Sequence, residues 1–398
     1  MTFLCISTYF KGAAFLQACK AAGNTVYLIT SKDLESENWP RESLDDIFYV
    51  ASDDNSLQSH QNMADGVAWL MRERRIDRIV ALDDFDVEKA AYLREEFRSP
   101  GMGQTTARHF RDKLAMRVQA RDAGLRVPPF TALFNNEDIN AFADDTPTPW
   151  VVKPRGEASA TGIKKVHSKE ALWQVIGELG NQRHRYLVEQ FKPGDVYHVD
   201  ALSNAGNVLF CQVSKYLATP MEVAHGGGVF RTATVPYGGK EDKALQQFVR
   251  QVMDAFGMQS SASHTEFIRC HEDGEFYFLE TSSRVGGAHI AEMVEAASGI
   301  NLWAEWARLE SAITRQEKYQ LPKRRKEHAG LVVSLSRFAE PDMRGFNDEE
   351  VVWKIDKRHH VGVIVQSKKR ERIIELLDDY VRRIQRDFHA SAPAPDSH

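Results

Sequence analysis

The 398-residue chain reads as an α/β protein with an α+β core, built from more than one unit. Three observations lead to this class. The first hundred or so residues alternate short apolar strands with helices, the pattern of a small parallel sheet covered by helices on both faces. The middle third is a series of strands separated by glycine-rich turns. Beyond Leu321 the basic run Pro322-Lys323-Arg324-Arg325-Lys326, a linker by its charge, introduces a smaller β-rich stretch closed by a helix.

Taken in order, TFLCIS, TVYLIT, DIFYVA and RIVALDD read as strands, and Ala13–Ala22, Gln61–Arg74 and Asp86–Phe97 as helices. In the second helix Met63, Val67, Leu70 and Met71 recur at helical spacing. The first turn, Ser7 to Ala13, lacks the GxGxxG that lets a backbone approach a pyrophosphate, so a dinucleotide site there is not expected. Arg98 to Gly103 forms the first boundary, giving a unit of residues 1–103. A helix over Thr105–Ala123 follows, stopped by Gly124 and the Pro128-Pro129 pair. The strands WVVKP, GIKKVHS, RYLVEQF and VYHVDALS come next, then a loop over Ala224–Arg231 and a helix over Lys240–Phe256. Gly286-Gly287 opens a helix over Ala288–Ala297. The expected units are 104–320, with a lid at about 148–190, then 321–389 ending in the helix Arg370–Phe388, and a disordered tail at 390–398.

Composition excludes several functions. A net charge of −5 supplies no global positive field for nucleic acid or an anionic membrane. The four cysteines, Cys5, Cys19, Cys211 and Cys270, form no CxxC pair, which argues against a zinc site or a redox dithiol and for a reduced, cytoplasmic chain. Apolar runs fall far short of the ~20 residues of a membrane helix, and no leader pattern opens the chain.

The most informative stretch is HTEFIRCHEDGEFYFLET, which reads as a hairpin. With Glu272-Asp273-Gly274 as a three-residue turn, Glu266 falls opposite Glu280 on one face of the sheet. Opposed like charges ask for a cation between them, and a hard divalent ion such as Mg²⁺ suits oxygen ligands. A four-residue turn would instead send the two carboxylates to opposite faces. Upstream, Lys153 ends the strand WVVKP before the small-residue loop Arg155 to Gly162, which either cradles phosphates or is a plain connection. Glu189-Gln190-Phe191 ends another apolar strand. Lys113 in FRDKLAMR, taken alone, is a surface lysine.

Order changes their meaning. RDK with its helix and AGLRVPPF, then WVVKP, LVEQFKPGDVYHVD, HTEF and LETSSRVGG occur in the sequence order of the ATP-grasp superfamily, and residues 75–385 resemble its carboxylate–amine ligases, such as the L-amino acid ligases, and more distantly biotin carboxylase. The resemblance implies an ATP-grasp fold: a Rossmann-like N-terminal domain, a central ATP-binding domain with a mobile lid, and a small C-terminal β-rich unit. It implies that Lys113 and Lys153 contact the ATP phosphates and that Ser159, Thr161 and Gly162 belong to the lid. Glu189, Gln190 and Phe191 would read adenine through backbone groups and the Glu189 carboxylate, with ribose near Asp195 or His198. Glu266 and Glu280 match the Mg²⁺-bridging glutamates, and Arg284 matches the arginine facing the transferred phosphoryl group. Ser282 stands where many members have asparagine, which puts the second metal contact in question. His264 shares the carboxylate face, either as a structural histidine or toward the acceptor or acyl phosphate. The loop that carries Arg231 either borders the acceptor pocket or is a flexible connection; in the pocket, Arg231 suits a substrate carboxylate, and Gly287 falls near the substrates.

These parts suit one chemistry. A carboxylate does not react with an amine at neutral pH until ATP converts it to an acyl phosphate, and cations must offset the repulsion between carboxylate and triphosphate. The expectation is a Mg²⁺- and ATP-dependent ligase joining a small acid, an amino acid or similar, to an amine, with ADP and phosphate released. The alternatives are a carboxylation-type enzyme with another acceptor and a non-catalytic nucleotide-binding regulator. A homodimer is a family-level expectation.

Overall fold

The computed structural model describes residues 1–51, 57–157, 161–221, 223 and 228–390. Ser159, positions 224–227 of the loop expected to border an acceptor pocket, and the expected tail from 391 onward lie outside the described residues.

Strands β1 (Thr2–Ile6), β2 (Thr25–Ser31), β3 (Asp46–Val50) and β4 (Arg78–Ala81) form a parallel sheet in the order β3-β2-β1-β4. Alternation along β1 supplies both faces. Phe3 and Cys5 bury with Phe15 and Leu16 of α1 (Ala13–Ala21). Leu4 and Ile6 bury with Met63 and Val67 of α2 (Leu57–Leu70) and with Ala90 and Leu93 of α3 (Val87–Glu96).

The single helix expected over Thr105–Ala123 is two, α4 (Gln104–Arg108) and α5 (Lys113–Asp122). Asp112 breaks it. Its carboxylate accepts from Leu114 N at 3.0 Å and Ala115 N at 3.4 Å, an N-cap that competes with helix continuation. Arg155 holds the same carboxylate at 2.9 Å through Nε. Lys113 therefore starts a helix and is buried rather than exposed.

A small antiparallel sheet follows, with β5 (Phe130–Ala132), β6 (Trp150–Pro154), β7 (Lys164–Val166) and β8 (Tyr186–Gln190) in the order β5-β8-β6-β7. Ile139 and Phe142 of α6 (Asn136–Asp145) and Leu172 and Ile176 of α7 (Lys169–Leu179) bury with Trp150, Val152 and Val188 beneath it.

The main sheet has eight strands: β9 (Gly194–Asn204), β10 (Asn207–Tyr216), β11 (Phe230–Thr234), β12 (Ser261–Cys270), β13 (Phe276–Ser282), β14 (His328–Leu335), β15 (Val351–Lys354) and β16 (His360–Ser367). Their order is β13-β12-β9-β10-β11-β14-β16-β15. The stretch expected as a separate C-terminal unit is thus hydrogen-bonded into the central sheet, β14 against β11 from Phe230↔Val333 to Ala233↔Gly330. Odd-numbered residues of β9, Tyr197, Val199 and Ala201, face the helix Lys240–Ala255 with Phe267 and Phe278. Even-numbered Val196 and Leu202 face the helices Ile290–Ser298 and Leu302–Arg315. The first of these begins two residues later than expected because Ala288 and His289 take left-handed φ values of 50° and 64°.

The helix Leu302–Arg315 also ties the N-terminal sheet to the rest. Phe15 meets Trp306 edge-on at 5.0 Å, and Arg78 pairs with Glu310 at 2.6 Å in a buried bridge. Burial of a side chain such as Phe15 stabilises this junction by about 1.5–3 kcal/mol. No helix among the described residues is long and apolar enough to cross a membrane.

Candidate active site

The hairpin of β12 and β13 reaches the expected pairing by an unexpected route. Near its end the ladder runs Arg269↔Phe276, Ile268↔Tyr277 and Phe267↔Phe278, and Cys270 N donates to Glu275 O at 2.9 Å. The turn is therefore the four residues His271 to Gly274, not three, with Gly274 at φ 72°. A regular ladder from that turn would put Glu280 on the face of Phe278, inside the apolar core. Leu279 prevents this. The register slips by one residue there, so that Glu266↔Glu280, Thr265↔Thr281 and His264↔Ser282 become partners. An extra residue in one strand rotates everything beyond it by one face. Phe276 and Phe278 point into one core, whereas Glu280 and Ser282 line a cavity on the other side.

That cavity, about 1060 Å³, is bounded by all three sheets. Lys113 from the start of α5 pairs with Glu280 at 3.0 Å. Lys153, at the end of β6, contacts Glu189 of β8, and Arg117 of α5 holds the other Glu189 oxygen at 2.8 Å. Burial would raise the Glu280 carboxyl, but Lys113 and Lys153 outweigh it and hold the group at about 2. Burial pushes Lys153 the other way, down to about 8, with Glu189 opposing. Burial also works against an ionised Glu189, yet Arg117 and Lys153 keep its carboxyl below the ordinary range. At neutral pH the wall thus carries carboxylates at Glu189 and Glu280 and a cation at Lys153.

Beside Glu266, Tyr216 donates its hydroxyl at 2.7 Å. Burial and the neighbouring Glu266 push the phenol well above its usual value, so it stays a donor. Behind them lies a relay that ordered motifs did not reveal. Asp200, fully buried, accepts from His264 Nδ1 at 2.8 Å and His198 Nδ1 at 2.7 Å, and His198 Nε2 meets Thr232 at 2.7 Å. Gly286 leaves room for this pair, since a Cβ there would sit 2.7 Å from Asp200 Oδ1. Burial alone would lower the His264 pKa, but Asp200 lifts it to about 9. Asp200 itself is held far below the carboxylate range, since His264 and His198 overcome its burial.

The relay yields a stability prediction. Asp200→Asn removes one partner of a buried ionic group and is expected to cost about 3–5 kcal/mol in urea unfolding. His264 is raised, so its share is fully present below its unfolded pKa near 6.5 and lost as pH climbs through about 9. The gap between wild type and variant should therefore narrow from pH 6.5 to above 9. An unchanged gap across that range would remove His264–Asp200 as its source.

Of the candidate residues, Lys113, Lys153, Thr161, Glu189, Gln190, Phe191, His264, Glu266, Glu280, Ser282, Arg284 and Gly287 line the one cavity. Others do not. His198 is fully buried with both ring nitrogens engaged, so it is not presented to a ribose. Asp195 points outward to Lys215 at 2.8 Å, and Arg231 pairs with Asp378 at 2.5 Å rather than with the cavity. Gly162, at φ 71°, shapes the turn against Pro154. In the stretch expected to read adenine, Gln190 N and Phe191 N donate to Pro129 O at 2.8 Å and Pro149 O at 2.9 Å, and Arg117 and Lys153 each hold one Glu189 oxygen.

A fourth wall was missed. Tyr9 follows β1, and Asp83, Asp84 and Phe85 follow β4, at the switch point of the parallel sheet, where α/β folds hold ligands. Tyr9 stacks on Phe85 at 4.9 Å, and Arg111 lies over the same ring at 4.3 Å. Lys11 pairs with Asp83 at 2.5 Å and Arg111 with Asp84 at 3.3 Å. Arg284 faces this wall, and among the described residues its buried Nε has no hydrogen-bond partner.

Architecture and cavity define an ATP-grasp fold. The solved L-amino acid ligase from Bacillus licheniformis superposes on 98% of this chain and 99% of its own, with a TM-score of 0.76 at 17% identity. Residues 146–292 of the chain match the family model of the ATP-grasp domain. Its curated relatives include the L-arginine-specific L-amino acid ligase of Bacillus subtilis, 30% identical over 236 residues, 57% of this chain and 56% of that protein. A D-alanine–D-alanine ligase of Neisseria meningitidis is 23% identical over 177 residues, 44% of this chain and 58% of the relative. The match thus spans little more than half the length of either.

Proposed function

We propose that the protein is a Mg²⁺- and ATP-dependent ligase that activates an amino acid or similar small acid as an acyl phosphate and joins it to an amine. One observation carries this reading: Glu266 and Glu280 are opposed on the wall of a cavity that also holds Lys113, Lys153 and Arg284. The donor set fits a divalent metal. Two carboxylates face each other, one ionised by its lysines and the other accepting from a tyrosine that cannot give up its proton at neutral pH. Glu266 and Glu280 would hold Mg²⁺, which when bound supplies Lewis acidity and charge neutralisation at the phosphates. Ser282 stands opposite His264 at the edge of this pair.

The chain's own groups account for the remaining demands. Lys113 and Lys153 place positive charge where a triphosphate must lie, and the unpartnered Arg284 Nε marks a donor left for an anion. Attack of the substrate carboxylate on the γ-phosphate would give an acyl phosphate and ADP; the amine then displaces phosphate at the acyl carbon. The wall of Tyr9, Lys11, Asp84, Phe85 and Arg111 offers both charges and two aromatic faces, which suits a zwitterionic amino acid. The names of the sequence relatives, both amino acid ligases, support the same substrate class.

The test is a product screen. With ATP, Mg²⁺ and pooled amino acids, mass spectrometry should find an amide whose mass is that of two acids less one water, together with ADP and phosphate. ATP binding without turnover on any acid would favour the non-catalytic alternative.

A further inference from the structure

We infer that Arg117 is a positioning residue that fixes the face on which Glu280 presents its carboxylate, by holding the β-bulge at Leu279. The inference rests on the reading of Glu266 and Glu280 as the metal carboxylates and adds how one of them is placed.

A four-residue turn with a regular ladder directs Glu280 toward the core that contains Phe278 and Phe276. Only the slip at Leu279 brings it to the cavity, so whatever stabilises the slip sets the site. At a bulge the extra residue loses its ladder partner, and its carbonyl needs another donor. Arg117 supplies it. The side chain is fully buried, its guanidinium carbon is 5.7 Å from the centre of the Phe278 ring, and Nη1 donates to the Leu279 carbonyl.

The same guanidinium reaches a second lobe. Nε donates to Glu189 Oε2 at 2.8 Å, and Glu189 contacts Lys153 through its other oxygen. One planar fork therefore spans β8 of the small sheet and β13 of the main sheet, joining the lysine wall to the carboxylate wall. Lysine could not do this, because its ammonium is a point donor at one place. The position is legible in hindsight: Arg117 lies four residues after Lys113 on α5, so both leave the same helix face.

Binding of Mn²⁺ in the presence of saturating ADP, followed by electron paramagnetic resonance, tests this without turnover. Arg117→Met and Arg117→Lys are expected to weaken Mn²⁺ binding about tenfold or more while the protein remains folded by circular dichroism. Deleting Leu279 removes the extra residue, so that a regular ladder keeps Glu280 opposite Glu266 on the cavity face with no bulge to hold; in that background Arg117→Met should cost little Mn²⁺ affinity. A purely structural arginine would lower the unfolding midpoint and leave Mn²⁺ affinity per folded molecule at the wild-type value; that result in the lysine variant, or an undiminished loss when Arg117→Met is combined with the deletion, overturns the inference. Absence of Mn²⁺·ADP binding by the wild-type protein would overturn the metal reading and this inference with it.

Discussion

Replacing Glu280 by glutamine is expected to lower the rate of ADP formation about a thousandfold or more while leaving the unfolding midpoint within a few degrees of wild type. The size follows from what the change removes: a charged oxygen ligand where transition-state charge must be offset, a contribution of several kcal/mol at about 1.4 kcal/mol per decade. The shape is nearly conserved, so packing around Leu279 and Ser282 should hold. Lys113, 3.0 Å from the carboxylate, loses its charged partner. Glu266→Gln should behave alike, with the added loss of a charged acceptor for Tyr216. Steady-state ADP release across a Mg²⁺ titration reads the effect. Wild-type rates in both variants would remove the metal assignment.

Lys153→Met is the second large effect, with kcat/KM for ATP expected to fall at least a hundredfold. Lys153 sits on a buried strand end where a charge acts in a poorly screened setting. Its removal leaves Glu189 to Arg117 alone and exposes incoming phosphates to that carboxylate. The wild-type enzyme should show the same dependence through pH. Burial has brought Lys153 down to about 8, so above that pH the free enzyme loses the charge that meets the phosphates, and KM for ATP should rise. Bound nucleotide favours the protonated amine, which should carry the kcat profile to higher pH than kcat/KM. A flat KM from pH 7 to 9.5 would contradict the assignment.

The hairpin shows both the reach and the limit of reading function from residues. Glu266 and Glu280 do oppose each other, yet the three-residue turn that led to that pairing does not form. A four-residue turn and a one-residue bulge add to the same offset. Alternation in sequence carries no mark of a bulge, because Leu279 is an ordinary strand residue. The parallel sheet, the helices Lys240–Ala255 and Arg370–Asp387, and the strand end at Lys153 were legible because periodic burial and strand ends leave local traces, whereas Lys113 alone read as a surface lysine. What depends on distant pairing was not. Asp195 and Arg231 are spent on Lys215 and Asp378, far along the chain, and His198 is closed off by Asp200 and Thr232. Arg117 was within reach, at i+4 from Lys113, but a buried arginine looks like any helix cation until its acceptors are seen. The break at Asp112 was visible too, as an aspartate beside Lys113 able to cap a new helix.

The central proposal is that the acid is activated at its own oxygen by the γ-phosphate. Once the product screen has supplied a turning-over acid, that acid is labelled with ¹⁸O in its carboxylate, and the released phosphate is analysed by mass spectrometry. One labelled oxygen is expected in each phosphate formed, since the carboxylate oxygen that attacks phosphorus leaves with it. Phosphate carrying no label, with ADP formed at the same rate, would mean that water rather than the acid attacks, and would contradict the ligase mechanism.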